Sequence, residues 1–166
     1  MENIYIVLDG NNATLTDNDT ALYWNIPDYY FKNMKDSQDK IKLSLVACMF
    51  NVATSTLFTV DNDSCEILTD LPLNNSMNTN SLNTLAYVDA TVTFNSPNDI
   101  IVNNQTSIDT PLHLEVSKFT SIKIQIKKQN VVCNFTAVAN QVDKSYCKFI
   151  LNLQYPNWEN IKQYAR

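Results

Sequence analysis

Glycine is almost absent from this sequence. Gly10 is the single example in 166 residues, whereas a usage of about 7% is ordinary. Gly-rich phosphate-binding loops, dinucleotide-binding fingerprints and nucleophile elbows all need glycines at fixed positions, so the chain cannot build them. Asparagine is abundant instead, with 23 residues, and it tolerates the left-handed backbone conformation better than most side chains. We expect asparagine to take over the turn positions that glycine usually occupies.

Charge is also scarce. Charged residues make up 17% of the chain, and the formal net charge is −5. Nucleic-acid binding requires clustered lysine and arginine to neutralise phosphates, and the only basic cluster here consists of Lys123, Lys127 and Lys128. We interpret this cluster as the solvent-facing side of one strand, so the sequence predicts no nucleic-acid partner.

Residues suited to catalysis are equally rare. His113 is the only histidine, whereas catalytic triads and histidine metal sites need partners for it, and its position between two leucines predicts an outward place on a strand. Asp61-Asn62-Asp63 resembles the start of a calcium loop, but Glu66 and Pro72 stand where such a loop needs Gly and Glu, so we predict a polar turn. No spacing among the glutamates singles out a pair for glycoside hydrolysis. We therefore predict that the protein is not an enzyme and has no catalytic residues.

The cysteines favour neither a disulfide framework nor a metal site. Cys48, Cys65, Cys133 and Cys147 are widely spaced and include no C-x-x-C pair, so we expect reduced, structural thiols. Zinc needs about four ligands brought together, whereas these four cysteines and the one histidine are scattered along the sequence. We predict no metal and no cofactor.

The sequence predicts neither a secretory signal nor a transmembrane helix. Its first residues have no basic and apolar segments of a secretory signal, and no apolar run approaches the ~18 residues that a transmembrane helix needs. We expect no membrane-spanning segment and no membrane contact.

Hydrophobic and polar residues alternate over much of the chain, which is the pattern of strands with one face in a core. The sharpest examples are residues 121–127 (SIKIQIK) and 148–155 (KFILNLQY). Turn signals separate such runs about every 8–12 residues, which predicts an all-β sandwich or barrel. The predicted strands cover residues 3–8, 20–26, 40–50, 55–60, 65–69, 84–94, 100–102, 112–116, 121–127, 131–135 and 146–155. The principal predicted loops are 73–83, 103–110 and 138–144.

Aromatic residues and the C-terminal tail offer candidate contacts. The aromatic clusters lie at residues 23–24 and 29–31 and at Tyr155, Trp158 and Tyr164. Such side chains fill a core, anchor a protein interface or stack on a ligand such as a sugar, and the sequence leaves these uses open. Residues from 157 onwards favour a short helix capped by Asn157, with Trp158, Ile161 and Ala165 on one stripe.

The order of these strands resembles a known family. Residues 40–53 (KIKLSLVACMFNVA) are similar to an alternating strand of the single jelly-roll capsid proteins of large DNA viruses, virophages and related elements, with Asn51-Val52-Ala53 where that family has a proline–serine segment. Residues 121–126 (SIKIQI) and 149–153 (FILNL) resemble the family's closing pattern, L-x-I-x-I-x-D-x-x-G…F-x-L-x-L. Lys127-Lys128-Gln129-Asn130 replaces the Asp-x-x-Gly turn, so Asn130 stands in the glycine's place.

The resemblance implies a single jelly roll of about eight strands over residues 1–156, followed by a tail or arm at 157–166. It also implies a minor capsid or penton-type protein, located in the virion and made in the host cytoplasm. Its partners would be other capsid proteins, including the major capsid protein and copies of itself. Trp158, Ile161 and Tyr164 are then the candidate interface residues. The alternative is a non-catalytic β-sandwich module that binds a carbohydrate or a receptor.

Overall fold

The chain folds from β-strands, as the alternating pattern predicts. The computed structural model describes residues 2–28, 40–54, 63–71, 82–92, 99–102, 105–106, 112–115, 119–136 and 141–155. Within these ranges there are twelve strands and no α-helix, and the one helical element is a 3-10 turn at Gly10–Asn12. The strands are β1 (Glu2–Asp9), β2 (Thr14–Thr16), β3 (Ala21–Asn25), β4 (Lys40–Thr54), β5 (Asp63–Thr69), β6 (Asn83–Val92), β7 (Asp99–Val102), β8 (Gln105–Thr106), β9 (Leu112–Glu115), β10 (Ser121–Lys128), β11 (Val131–Val132) and β12 (Gln141–Tyr155).

The strands form two antiparallel sheets that pack as a β-sandwich, so the prediction of an all-β sandwich is confirmed. In the first sheet, β12 lies between β1 and β4, and β4 pairs on its other side with β9 near its start and with β7 further along. In the second sheet the order is β2-β3-β10-β5-β6, with β11 beside β10 and β8 beside β6. The far end of β6 also pairs with β7 through Thr91 and Val92, which joins the sheets.

The facing sides of the two sheets form the apolar core. Alternate residues of β10 (Ile122, Ile124 and Ile126) and of β12 (Phe149, Leu151 and Leu153) are fully buried, as their period-two pattern predicts. Burying a side chain of this size contributes about 1.5–3 kcal/mol. Further core residues come from β1 (Ile6, Leu8), β3 (Leu22, Trp24), β4 (Ile41, Leu43, Leu45, Phe50) and β5 (Ile67).

The basic cluster on β10 is not a solvent face, so that interpretation is wrong for Lys128. Lys128 shares the parity of Ile126 and is only 6% exposed, while Lys123 and Lys127 are half-buried. Gln125, which has the outward parity, is only 9% exposed, and its Nε2 donates to Thr20 Oγ1 at 3.3 Å. β3 and β5 pair with the two edges of β10, and residues of the β2–β3 connection contact its outward side, since Thr20 accepts from Gln125 and Asp17 pairs with Lys123.

The last strand begins earlier than predicted. Residues 141–144 belong to β12 rather than to a loop. Between Asp143 and Lys148, β12 advances five residues while β4 advances two, from Asn51 to Met49. The extra residues of β12 form a large β-bulge, and such a bulge changes the local direction of a strand. The prediction failed here because this bulge interrupts the alternation of apolar and polar residues.

The single glycine packs against that bulge. A Cβ on Gly10 would overlap the carbonyl oxygen of Lys144 and come within 3.0 Å of Cys147 Cβ. The Gly10 position therefore requires a residue without a side chain, because the bulge backbone of β12 comes this close.

Smaller differences concern short strands and turns. β2 was not predicted, β8 lies inside the loop predicted at 103–110, and Asp63 begins β5 rather than belonging to the predicted polar turn. The prediction of a strand at 55–60 lies outside the described residues. So do most of the loop predicted at 73–83, the aromatic cluster at 29–31 and the tail from 156 onwards.

Asparagine takes over only part of glycine's turn role. Among the described residues, positive φ angles occur at Asp17 (55°), Asn18 (57°), Asp19 (63°) and Gln129 (54°). In the turn after β10 the left-handed residue is therefore Gln129, and Asn130 does not occupy the glycine-like conformation that its alignment with the family's glycine implies.

Candidate functional site

The left-handed turn at residues 17–19 carries a dense polar network. The backbone N–H of Phe135 donates to the Asp19 carbonyl oxygen at 2.9 Å, and Thr136 Oγ1 donates to Asp19 Oδ2 at 3.0 Å. Thr136 also donates its backbone N–H to Asn134 Oδ1 at 2.7 Å. These bonds join the β2–β3 connection to the segment that follows β11. The network consists of internal partners, so its role is structural.

Lys123 is part of the same arrangement. Its Nζ lies 3.0 Å from Asp17 Oδ2, and its backbone N–H donates to Asp70 Oδ1 at 2.8 Å. The Asp17 side chain is 44% exposed, and an ion pair with that much solvent contact contributes at most about 1 kcal/mol. Lys123 therefore anchors the turn and does not present a free charge to a phosphate.

The four cysteines are buried and form no disulfide. Burial raises the pKa of Cys48 from 9.0 to about 12. Burial also raises the pKa of Cys133 to about 12, although the nearby charge of Lys128 lowers it in part. Burial, with smaller contributions from Asp143, Cys133 and Cys48, raises the pKa of Cys147 still further. The raised pKa values keep Cys48, Cys133 and Cys147 in the thiol form at neutral pH. Because the thiolate is the nucleophile and the metal ligand, these three side chains are suited to core packing.

The residues weighed for chemistry from the sequence do not converge on one site. His113 lies on β9 in register with Lys42 of β4, Asp63 begins β5 in register with Ala90, and Glu66 accepts a hydrogen bond from Thr84 Oγ1 at 3.2 Å. Within the described ranges, no three His, Cys, Asp or Glu side chains are grouped to hold a metal ion. The candidate interface residues Trp158, Ile161 and Tyr164 lie outside the described residues.

A group of exposed apolar side chains lies on the outer face of the first sheet, beside the polar residues Lys148 and Asn152, and the sequence pattern did not indicate it. We call it the outer patch and define it by Tyr5 and Val7 of β1, Val46 and Met49 of β4, and Ile150 of β12. Tyr5 and Val7 are each 58% exposed, Val46 and Met49 are also exposed, and Ile150 is half-buried. Val7 is directly opposite Ile150, and Ile150 is opposite Ala47, so the patch crosses three strands.

A β-bulge contributes to this surface. The register between β12 and β4 shifts between Ile150 and Leu151, which are opposite Ala47 and Leu45, so Val46 is the extra residue. Inserting one residue into a strand changes which side chains point outwards. Contiguous exposed apolar surface of this kind marks interaction sites, so the outer patch is the best candidate functional site in the described part of the chain.

Comparisons with models of protein families, with curated proteins and with solved structures gave no match. The described residues contain no helix of the length and apolar character needed to cross a membrane.

Proposed function

We propose that this chain is a structural component of a viral capsid, a minor capsid or penton-type protein, that acts by protein–protein assembly. In this proposal it is made in the host cytoplasm and resides in the virion. It contacts other capsid proteins, including the major capsid protein and copies of itself, and it catalyses no reaction.

The observation that carries the proposal is the nested order of strand pairing. β1 pairs with β12, β3 with β10, β4 with β9, and β5 with β6. Each pair encloses the next along the chain, as in one long antiparallel ribbon. The ribbon is distributed over two sheets, with β1, β12, β4 and β9 in one and β3, β10, β5 and β6 in the other. Eight strands in two sheets are the frame of a jelly roll, so this order supports a single jelly roll.

A fold alone does not identify a function, because jelly rolls serve in lectins as well as in capsids. Two surface properties favour assembly. The outer patch presents apolar side chains from three strands, which suits a protein interface. The low charged fraction of 17% suits contact between closely packed copies, because the cores of protein interfaces are depleted of charge.

Removal of the tail tests the assembly role. We expect a chain lacking residues 157–166, and the variant Trp158→Ala/Ile161→Ala/Tyr164→Ala, to stay folded as a monomer but to enter particles poorly. The variant Lys162→Ala/Gln163→Ala changes the same tail without removing an apolar anchor and is expected to enter particles normally. Normal incorporation of the truncated chain would contradict the role of the tail. Tight glycan binding by the monomer would favour the carbohydrate-binding alternative.

A further inference from the structure

The first strand has an open edge. Within the described residues β1 pairs with β12 alone, in an unbroken register from Glu2 opposite Tyr155 to Asp9 opposite Lys148. Its other edge therefore carries no strand in this part of the chain. The continuous path of paired strands through both sheets ends at β1 and at β2. β1 has eight residues and β2 has three, so β1 is the longer end of this path.

This edge lacks the features that usually prevent pairing with another chain. Proteins protect such edges with lysine, proline, bulges or charged side chains. Residues 3–8 (NIYIVL) contain no charge and no proline, and the register with β12 has no bulge. Its outward side chains include Tyr5 and Val7, each 58% exposed. The edge is therefore chemically open to an antiparallel strand.

We propose that β1 is a self-association surface, through which a second copy of this chain adds its own β1 in antiparallel orientation. This self-association rests on the proposed role in capsid assembly, and it gives the open edge of β1 a second copy of the chain as its partner. Directly opposite residues in an antiparallel pair lie on the same face. A twofold axis at Ile6 aligns Tyr5 with Val7 of the second copy, and Ile4 with Leu8 of the second copy. Exposed residues then meet exposed residues, and the two cores become continuous.

The charges on β1 are compatible with this register. Its two acidic residues, Glu2 and Asp9, stand at opposite ends of the strand. With the axis at Ile6, Asp9 is opposite Asn3 of the second copy, and Glu2 lies past the end of the second copy's β1, where Gly10 begins a 3-10 turn. No carboxylate faces another, so two chains of net charge −5 can approach along an edge whose central residues 3–8 carry no charge. The same patch on both subunits is what a twofold dimer interface requires.

Sedimentation equilibrium of the full chain tests this inference. We expect a concentration-dependent mixture of the 18.9-kDa monomer and a species of twice that mass. Tyr5→Lys/Val7→Lys should weaken dimerisation at least tenfold, because it sets positive charges opposite each other. Tyr146→Lys changes a tyrosine that is 56% exposed, beyond the end of β1, and should leave the dimer unchanged. Mixing Tyr5→Lys/Val7→Lys with Tyr5→Glu/Val7→Glu should restore a dimer, which excludes misfolding as the cause.

A monomer at every soluble concentration, or a dimer that these substitutions do not weaken, would overturn the inference. If the isolated chain is monomeric while Tyr5→Lys/Val7→Lys blocks entry into particles, the edge takes a strand of a different shell protein and a second copy is the wrong partner. The assembly role is judged separately by the presence of the wild-type chain in particles. A chain that dimerises through β1 but is absent from particles contradicts the assembly role alone.

Discussion

Trp24 and Phe149 connect the two sheets of the sandwich. Their ring centroids lie 6.0 Å apart with an interplanar angle of 75°, an edge-to-face geometry that aromatic pairs favour. Trp24 belongs to β3 in the second sheet and Phe149 to β12 in the first. The indole Nε1–H of Trp24 also donates to the Asp9 carbonyl oxygen at 2.8 Å, so one side chain connects β1, β3 and β12.

Replacing Trp24 should therefore strongly reduce the free energy of unfolding. We expect Trp24→Ala to cost about 3–5 kcal/mol, as large-to-small changes of core aromatics do. Trp24→Phe keeps an aromatic ring in the core and should cost less. We expect about 1–3 kcal/mol, because this variant leaves the Asp9 carbonyl without its hydrogen-bond donor. The adjacent Tyr23→Phe removes a hydroxyl that bonds Asn25 Oδ1 in an exposed setting and should cost less than about 1 kcal/mol. Urea unfolding measures all three, and equal costs for Trp24→Phe and Tyr23→Phe would contradict this role.

The Gly10 position should not tolerate any side chain. Because a Cβ there would overlap the Lys144 carbonyl oxygen, Gly10→Ala must displace the backbone of the β12 bulge. We expect a loss of at least about 3 kcal/mol, the upper end for overpacking. Asn12→Ala, two residues away at an exposed position, serves as the control and should change stability by less than about 0.5 kcal/mol. Equal stabilities in urea would show that the contact between Gly10 and the bulge is absent.

Glycine substitutions at two neighbouring residues of the turn after β10 should change stability in opposite directions. Gln129 has a φ of 54°, which costs a non-glycine residue about 1–2 kcal/mol. Gln129→Gly should stabilise the fold by about 0.5 kcal/mol, after the larger backbone entropy that glycine loses on folding. Asn130→Gly brings only that entropy loss and should destabilise by about 0.5 kcal/mol. Thermal unfolding of both variants measures the two changes in stability. A stabilising effect of Asn130→Gly would contradict the assignment of the left-handed conformation to Gln129.

The buried thiols predict a fall in stability at alkaline pH. Burial raises the pKa of Cys48 from 9.0 to about 12, so above pH 9 the unfolded chain loses a proton that the folded chain keeps. The contribution of the protonated thiol to the free energy of unfolding is therefore complete well below pH 9 and is lost as the pH rises towards 12, by about 1.4 kcal/mol at pH 10. Cys48→Ala should be less stable at pH 7 but show a shallower decline between pH 8 and pH 10. An identical slope in urea titrations of the two proteins would contradict the raised pKa.

The local features of this fold were predictable from the sequence, and the long-range ones were not. Alternation identified β1, β10 and the end of β12, because period two reports directly which face is buried. It could not foresee that Gln125 and Lys128 are covered, since that depends on neighbours far away in sequence. It missed β2 because three residues (Thr14–Thr16) are too short for a periodic signal.

The candidate site was less predictable than the fold. Tyr5 and Val7 were identified as part of a strand, but their exposure beside Ile150 follows from the pairing of the first strand with the last. The open edge of β1 follows from the order of the sheet, which no local pattern encodes. The alternation of β1 already predicted that Tyr5 and Val7 lie on the same face. Whether that face is exposed can be decided only when the neighbouring strands are known.

The most direct test of the proposed capsid role is quantitative mass spectrometry of purified virions. We predict that the chain co-purifies with the particles through a density gradient at a fixed ratio to the major shell protein. The chain should be present in infected cells but absent from the purified particles if the account is wrong.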